Sequence, residues 1–180
     1  MISTKLLKIW TMMLFVFSAL LVMAFYALPD GRLHIYFFDI GQGDSIFIRT
    51  PNDQFVLIDG GPDDKVLTEL SDTMPFFSHR IDLVILTHAH SDHINGIVSV
   101  LRRYDVSAVL ITGAVSYGSY YDEFMNIIAE KNIRLLIAES GDDFDFGGGA
   151  FLDILYPVES IFARKIENTN NASIVSKLVY

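Results

Sequence analysis

The stretch Thr87-His88-Ala89-His90-Ser91-Asp92-His93 decides how this chain is interpreted. It follows the mainly apolar run Ile81–Leu86 and places three of the five histidines around one aspartate. Neutral imidazole and ionised carboxylate are ligands that zinc, manganese and iron accept in proteins. A polar loop in which Ser91 or Asp92 caps a following helix is the alternative. Capping accounts for one acidic residue and for none of the histidines.

The spacing of these residues predicts how their side chains are arranged. In an extended segment alternate side chains share one face, so His88, His90 and Asp92 would converge on one point. His93, the next residue, would then serve a neighbouring cation. Thr87 is expected only to end its strand. The stretch therefore predicts a metal site built from histidine and carboxylate ligands.

Composition limits the function classes. The chain has 180 residues, of which 51% are hydrophobic, enough for one domain with a core. Its net charge of −9 lacks the basic surface typical of nucleic-acid binding. Bound cations would reverse that sign locally, so the charge disfavours docking on long duplexes more than hydrolysis of a phosphodiester at the site. Because there is no cysteine, any metal is left to histidine and oxygen donors.

The N-terminal segment has the pattern of a membrane anchor. Residues 9–28 carry no charge, and as a helix they would be about 30 Å long, which matches a bilayer core. Lys5 and Lys8 precede the segment and Asp30 follows it. This predicts a single-pass protein of the cytoplasmic membrane, with residues 1–8 inside and the rest outside. A signal peptide that is cleaved, followed by secretion, is the open alternative.

Beyond a turn-prone linker at residues 29–32, alternating strand and helix patterns predict an α/β domain over residues 33–180. The predicted strands are Leu33–Ile40, Ser45–Arg49, Phe55–Ile58, Leu83–Leu86, Val106–Ile111, Ile133–Ala138, Phe151–Leu155 and Ser173–Val179, and the predicted helices are Lys65–Leu70, one from Ile94 to Arg103 and one from about Tyr121. The continuous apolar run Leu83–Leu86 is typical of a strand buried on both faces. Since the chain stops inside a β-branched strand, we expect a domain that is incomplete at its C-terminus.

Flanking motifs add a family resemblance. The pattern His88-x-His90-x-Asp92-His93 after an apolar strand resembles the signature of the metallo-β-lactamase fold superfamily. With it, the motifs at Phe38–Ser45, Leu57–Gly61, Leu155–Pro157 and Asn170–Val175 resemble the C-terminal hydrolase domain of ComEC-type DNA-uptake proteins, over about residues 33–180. The resemblance implies a four-layer αββα sandwich, a dinuclear metal site and hydrolase activity, in this branch on nucleic-acid phosphodiesters.

The resemblance also assigns the ligands and shows where this chain departs from the family. It places His88 and His90 on the first metal and Asp92 and His93 on the second, with Asp92 also a candidate acceptor of a proton from the attacking water. Family members continue past the strand that matches residues 174–180 to a bridging aspartate and a later histidine. Neither is in this chain, so we expect only the N-terminal part of the sandwich and an incomplete site. ComEC proteins also carry a multi-helix channel, whereas one predicted span precedes this domain.

Five further residues are candidates for supporting the metals or the substrate. Asp59 follows an apolar strand and suits a hydrogen bond to a ligand imidazole, although a turn aspartate before two glycines explains it equally well. Asp39, Gln42 and Asp44 lie in a glycine-flanked loop that would let short polar groups approach the site. A tight turn between two strands explains that loop equally well. Asn171 matches the family motif, and it is also an ordinary turn residue before a strand.

Three functions stay open. The first is a membrane-anchored phosphodiesterase or nuclease that uses two divalent ions, zinc by preference, with manganese or iron as alternatives. The second is a hydrolase of the same fold that cleaves an acyl bond in a lactam or thioester. The third is a non-enzymatic module with an incomplete site. The Gly-Gln-Gly-Asp and Asn-Asn motifs favour the first, the absent ligands favour the third, and no protein partner is inferable.

Overall fold

The computed structural model describes residues 4–26 and 28–180. The chain divides into two compact units, Met1–Asp30 and Gly31–Tyr180. The first three residues of the predicted cytoplasmic segment, and Ala27 of the predicted span, lie outside the described residues.

The first unit contains one helix, α1, over Thr4–Tyr26. It begins five residues before the predicted span because Leu6, Leu7 and two lysines also favour helix. The part Thr4–Phe25 is long and apolar enough to cross a membrane, and none of its most apolar stretch of 18 residues is buried. A signal sequence meets the same criterion. Length and composition therefore support a membrane-directed N-terminus without fixing its orientation.

The second unit is an α/β domain of two sheets and three α-helices. Its elements in chain order are β1 His34–Phe37, β2 Ile46–Arg49, β3 Phe55–Ile58, α2 Lys65–Thr73, β4 Arg80–Ile85, α3 Ser91–Arg103, β5 Asp105–Ile111, α4 Ser119–Glu130, β6 Arg134–Ile137, β7 Asp143–Asp145, β8 Phe151–Tyr156, a 3₁₀ helix Thr169–Ala172 and β9 Val175–Val179. Each predicted strand and helix of this domain is present; the strand Phe55–Ile58 has the predicted bounds, and the ends of the others are shifted. Strand β1 ends early because the chain turns back, where Phe38 N donates to Ser45 O. The sequence did not predict β7, since three residues carry too little alternation to register.

The strand order explains why the site forms at one edge of the larger sheet. That sheet has the order β1-β2-β3-β4-β5-β6, antiparallel from β1 to β3 and parallel from β3 to β6. The carboxyl ends of β3 and β4 are therefore neighbours, and Asp59 N donates to Ile85 O at 2.9 Å. Ligands commonly bind at the carboxyl edge of parallel strands. Here that edge carries Asp59 and the stretch Thr87–His93.

Three layers enclose two hydrophobic cores. One core lies between the helices α2–α4 and the larger sheet and includes Phe47, Leu101 and Phe124. The other lies between the larger sheet and the sheet β7-β8-β9, where Leu83 packs with Leu152. Strand β4 contributes to both cores, as predicted for a strand buried on both faces. This layering confirms the predicted α/β class with stacked sheets.

Candidate metal centre

The histidine cluster lies where β4 gives way to α3. His88 precedes the helix and His90 occupies its N-cap position, whereas Asp92 and His93 belong to its first turn. The expectation of one extended face with His88, His90 and Asp92 is wrong, because the helix starts at Ser91. The helix-capping alternative is also wrong, since no side chain makes a capping hydrogen bond at this described N-terminus. The negative charge of Asp92 instead lies beside the positive end of the helix dipole.

His88 and His90 form the first potential ligand pair. Nε2 of His88 lies 3.2 Å from Nδ1 of His90. Two nitrogens bound to one tetrahedral zinc at about 2.0–2.1 Å each lie about 3.3 Å apart. The distance between these two nitrogens therefore matches the separation of two ligands of one divalent cation.

Asp92 and His93 form a second, looser pair. Their facing atoms, Oδ1 of Asp92 and Nε2 of His93, are 4.0 Å apart. That is near the limit of about 4.1 Å at which two such ligands can reach one ion, so one side chain must turn inward. The rings of His88 and His93 have centroids 4.1 Å apart, which brings the two pairs together. Across residues 4–26 and 28–180, no three His, Asp or Glu side chains are arranged to hold one ion.

Asp59 contacts both ligand pairs, His93 directly and His88 through Thr87. It is 2% exposed, and its Oδ1 accepts from Thr87 N at 2.8 Å. Its Oδ2 accepts from Thr87 Oγ1 at 2.6 Å and lies 2.8 Å from Nδ1 of His93. The contact with His93 is of the kind that orients a metal-binding imidazole. The backbone of Asp59 has a positive φ of 57°, a conformation that aspartate tolerates better than most residues.

Sequence reasoning missed the role of Thr87. An ionised carboxylate can only accept hydrogen bonds, so the Thr87 hydroxyl donates to Asp59. The Thr87 Oγ1 atom then accepts a hydrogen bond from His88 Nδ1 at 3.0 Å. This fixes the His88 proton on Nδ1 and leaves a lone pair on Nε2, the atom that faces His90. The signal was available, since a hydroxyl residue directly precedes the first histidine.

Burial and neighbouring charge act differently on two of the imidazoles. Burial, followed by the nearby His93, lowers the pKa of His88. Burial alone would also lower the pKa of His93, but the hydrogen bond and charge of Asp59 outweigh it and raise that pKa. At a given pH, His93 therefore carries a second proton more often than His88. A cation that binds His93 must more often displace that proton.

Close backbone contacts fix the position of α3. Gly60 N donates to the carbonyl of His93 at 2.9 Å. A Cβ atom on Gly96 would lie 1.8 Å from the Gly60 carbonyl oxygen, and one on Gly43, whose φ is +84°, would lie 1.9 Å from the Asp92 carbonyl oxygen. Real Cβ contacts never approach these values. The glycines thus let the first turn of α3, with its two ligands, lie directly on the neighbouring loops.

The other loop candidates lie around the site without joining the histidines. The side chain of Asp39 is 94% exposed and 3.7 Å from the Lys65 ammonium. Gln42 and Asp44 are exposed as well. Asp44 is near enough for its charge to raise the pKa of His93, as the weakest of several contributions. Roles for these three residues stay predictions.

Asn171 lies in the 3₁₀ helix, which borders the site. Its side chain is exposed, and its carbonyl accepts from the Tyr156 hydroxyl at 3.0 Å. Thr169 in the same turn makes a hydrogen bond with Nε2 of His90. Sequence reasoning missed Thr169, because it follows His90 by 79 residues and belongs to no recognisable spacing pattern.

The layered sheets and a histidine–aspartate cluster at the strand ends define a class of metal-site α/β sandwich proteins. The chain belongs to the metallo-beta-lactamase superfamily, whose family model matches residues 38–159. That membership agrees with the predicted family and implies binding of a divalent metal. The ComEC-type branch is not tested by it.

Individual relatives are distant. A metal-dependent hydrolase of Staphylococcus saprophyticus is 26% identical over 77 residues, 43% of this chain and 31% of that protein. Exodeoxyribonuclease WalJ of Streptococcus pneumoniae is 32% identical over 63 residues, 35% of this chain and 23% of that protein. The structure of ETHE1 from Myxococcus xanthus has a TM-score of 0.50 at 18% identity, over 82% of this chain and 53% of that chain. The matches span less than a third of either curated relative, and the likeness to ETHE1 concerns the fold alone.

Proposed function

We propose that this chain is a membrane-anchored, metal-dependent phosphodiesterase or nuclease of the ComEC-like type. The observation that carries the proposal is the 3.2 Å separation of His88 Nε2 and His90 Nδ1, with Asp92 and His93 beside it. In this proposal His88 and His90 hold one cation, and Asp92 and His93 hold another. Zinc suits these donors, and manganese or iron would also be accepted.

A phosphodiester is favoured over an acyl bond by two observations. A relative matched at 32% identity is named an exodeoxyribonuclease, and the Gly-Gln-Gly-Asp loop lies directly on the first turn of α3 through Gly43. The net charge of −9 favours a small phosphodiester or a strand end over a long duplex. The helix α1 would hold the domain at the outer face of the cytoplasmic membrane.

The chain's own groups have separate tasks in this proposal. Asp59 holds the proton of His93 on Nδ1, and Thr87 holds that of His88 on Nδ1, so both Nε2 atoms face the site. Bound divalent ions supply Lewis acidity and lower the pKa of a coordinated water. Asp92, with an oxygen 4.0 Å from His93 Nε2, would serve as a ligand or as the acceptor of a proton at the site.

Metal-dependent turnover of bis-p-nitrophenyl phosphate tests the proposal. We expect the full chain in detergent to release nitrophenol with zinc or manganese, slowly, because each ligand pair supplies two protein donors where catalytic zinc sites use about three. His88→Ala should reduce the rate to the metal-free background. His79→Gln, a histidine beside Tyr104 with ring centroids 6.3 Å apart, is the matched control and should leave the rate unchanged. Cleavage of a lactam or thioester with no phosphodiester cleavage would contradict the substrate class.

Zinc binding should depend on pH because of His93. A cation needs a neutral imidazole, and Asp59 raises the pKa of His93. We therefore expect zinc affinity to rise with pH through the imidazole range and to level off only above the ordinary histidine value of about 6.5. On the acid side the slope should reach about tenfold per pH unit for each ligand that must lose a proton. Calorimetric titration at a series of pH values measures this, and an affinity independent of pH would exclude His93 as a ligand.

A further inference from the structure

We propose that the Thr169 hydroxyl is a positioning group that lets His90 exchange tautomers when a metal binds. This inference rests on the proposed metal site. It starts from the contact between Thr169 Oγ1 and Nε2 of His90, on the side of the ring opposite His88. A hydroxyl both donates and accepts hydrogen bonds, and both abilities are required at this position.

The turn that carries Thr169 is itself built to stay in place. The Asn168 side chain accepts from Asn170 N at 3.0 Å, and Tyr156 binds the next carbonyl along the turn. Ala172 is 2% exposed. Immediately after the turn, Ile174 N donates to the Thr87 carbonyl at 3.0 Å, which ties the segment to the strand end that carries the histidines. Side-chain and backbone hydrogen bonds therefore hold the Thr169 hydroxyl beside His90.

Without metal, the hydrogen-bond network dictates one tautomer for His90. Asp59 only accepts, so Thr87 donates to it and His88 donates from Nδ1 to Thr87. His88 Nε2 is therefore an acceptor. The contact of 3.2 Å between His88 Nε2 and His90 Nδ1 then requires the His90 proton on Nδ1. Nε2 of His90 is left as an acceptor, and Thr169 donates to it.

If His88 and His90 held a cation, the requirement would reverse. Nδ1 of His90 would have to offer its lone pair, so its proton would leave to solvent and a proton would be taken up at Nε2. The ring stays neutral and the exchange is balanced in protons. The hydroxyl of Thr169 then rotates and accepts from Nε2–H. Valine could satisfy neither state, and a carboxylate could satisfy only the second.

The full chain labelled with ¹⁵N-histidine, held in detergent at about pH 8 where an ordinary imidazole is neutral, tests this directly. Imidazole nitrogen shifts should show His90 protonated on Nδ1 without metal and on Nε2 with zinc. Thr169→Val should leave the apo tautomer unchanged, because His88 fixes it, and should weaken zinc binding by about tenfold, because Nε2–H of the metal-bound ring would then have no acceptor. Thr169→Ser, which keeps the hydroxyl, should bind zinc as tightly as the wild type. Thr68→Val removes an exposed threonine hydroxyl in α2 and should change neither the tautomers nor the zinc affinity.

Two results would overturn the inference. One is a His90 tautomer that is the same with and without zinc, and the other is a Thr169→Val protein that binds zinc as tightly as the wild type. If the wild type binds no zinc, the proposed function fails, and the apo tautomer still decides the role of Thr169. Unchanged circular dichroism in Thr169→Val separates loss of the hydroxyl from loss of the fold.

Discussion

Replacement of Asp59 by alanine should lower the free energy of unfolding of the domain by about 3–5 kcal/mol. The carboxylate is buried and receives hydrogen bonds from Thr87 N, Thr87 Oγ1 and His93 Nδ1. Alanine leaves these three donors without their partner, one on the buried His93 and two on the half-buried Thr87. A group that loses its partner costs about 1–3 kcal/mol where it is buried. The positive φ of this residue adds strain, because a Cβ without a polar group gains nothing in that conformation.

The same substitution should also weaken zinc binding at the site. Zinc affinity should fall by at least about tenfold, since His93 and, through Thr87, His88 lose the group that orients them. Urea denaturation followed by circular dichroism measures stability.

Asp82→Ala is the matched control for Asp59→Ala. Its carboxylate also accepts from a backbone N–H, that of Phe55 at 2.9 Å, and lies away from the site. We expect it to cost about 1 kcal/mol and to leave zinc affinity unchanged. Equal losses of stability in the two variants would show that Asp59 is an ordinary turn aspartate.

The layout of the domain was predictable because its signals are local. Runs of apolar, β-branched and aromatic residues mark the strands of the larger sheet, and the continuous run Leu83–Leu86 indicated that β4 is buried on both faces. The histidine cluster was visible for the same reason, since its members lie within six residues of each other. The start of α3 at Ser91 was missed, because polar residues at a helix start resemble a loop.

The contacts that organise the site were less predictable because they join distant parts of the chain. Asp59 meets His93 across 34 residues and Thr169 meets His90 across 79. For Asp59 the sequence offered two equal explanations, a turn residue or a partner of a ligand. Only the pairing of β3 with β4 brings its carboxylate under the cluster. No pattern in the sequence indicates that Thr169 lies beside His90.

Replacement of Gly96 by alanine should be the other most damaging change, although alanine normally strengthens a helix. Alanine is worth about 1 kcal/mol more than glycine in a helix interior. Here its Cβ would lie 1.8 Å from the carbonyl oxygen of Gly60 and 2.9 Å from that of Asp63. Backbone atoms cannot move aside as a flexible side chain would, so α3 must shift away from the loop after β3.

That shift has two costs. The hydrogen bonds from Gly60 N to His93 O and from Gly96 N to Gly61 O, 2.9 and 3.0 Å long, would stretch or break at about 0.5–1.5 kcal/mol each. Overpacking adds about 1–3 kcal/mol. After the gain in helix propensity is subtracted, we expect a net loss of about 2–4 kcal/mol.

Zinc binding distinguishes this clash from a general cost of removing glycine. His93 lies one turn before Gly96, so movement of α3 would withdraw His93 from Asp59, and zinc affinity should fall together with stability. Gly141→Ala is the control, because Gly141 has a φ of +94° with open space around it and loses only about 1–2 kcal/mol to backbone strain. Gly141→Ala should therefore leave zinc affinity intact. A Gly96→Ala protein as stable as the wild type would mean that α3 does not rest on Gly60, and the position of the second ligand pair would then have another cause.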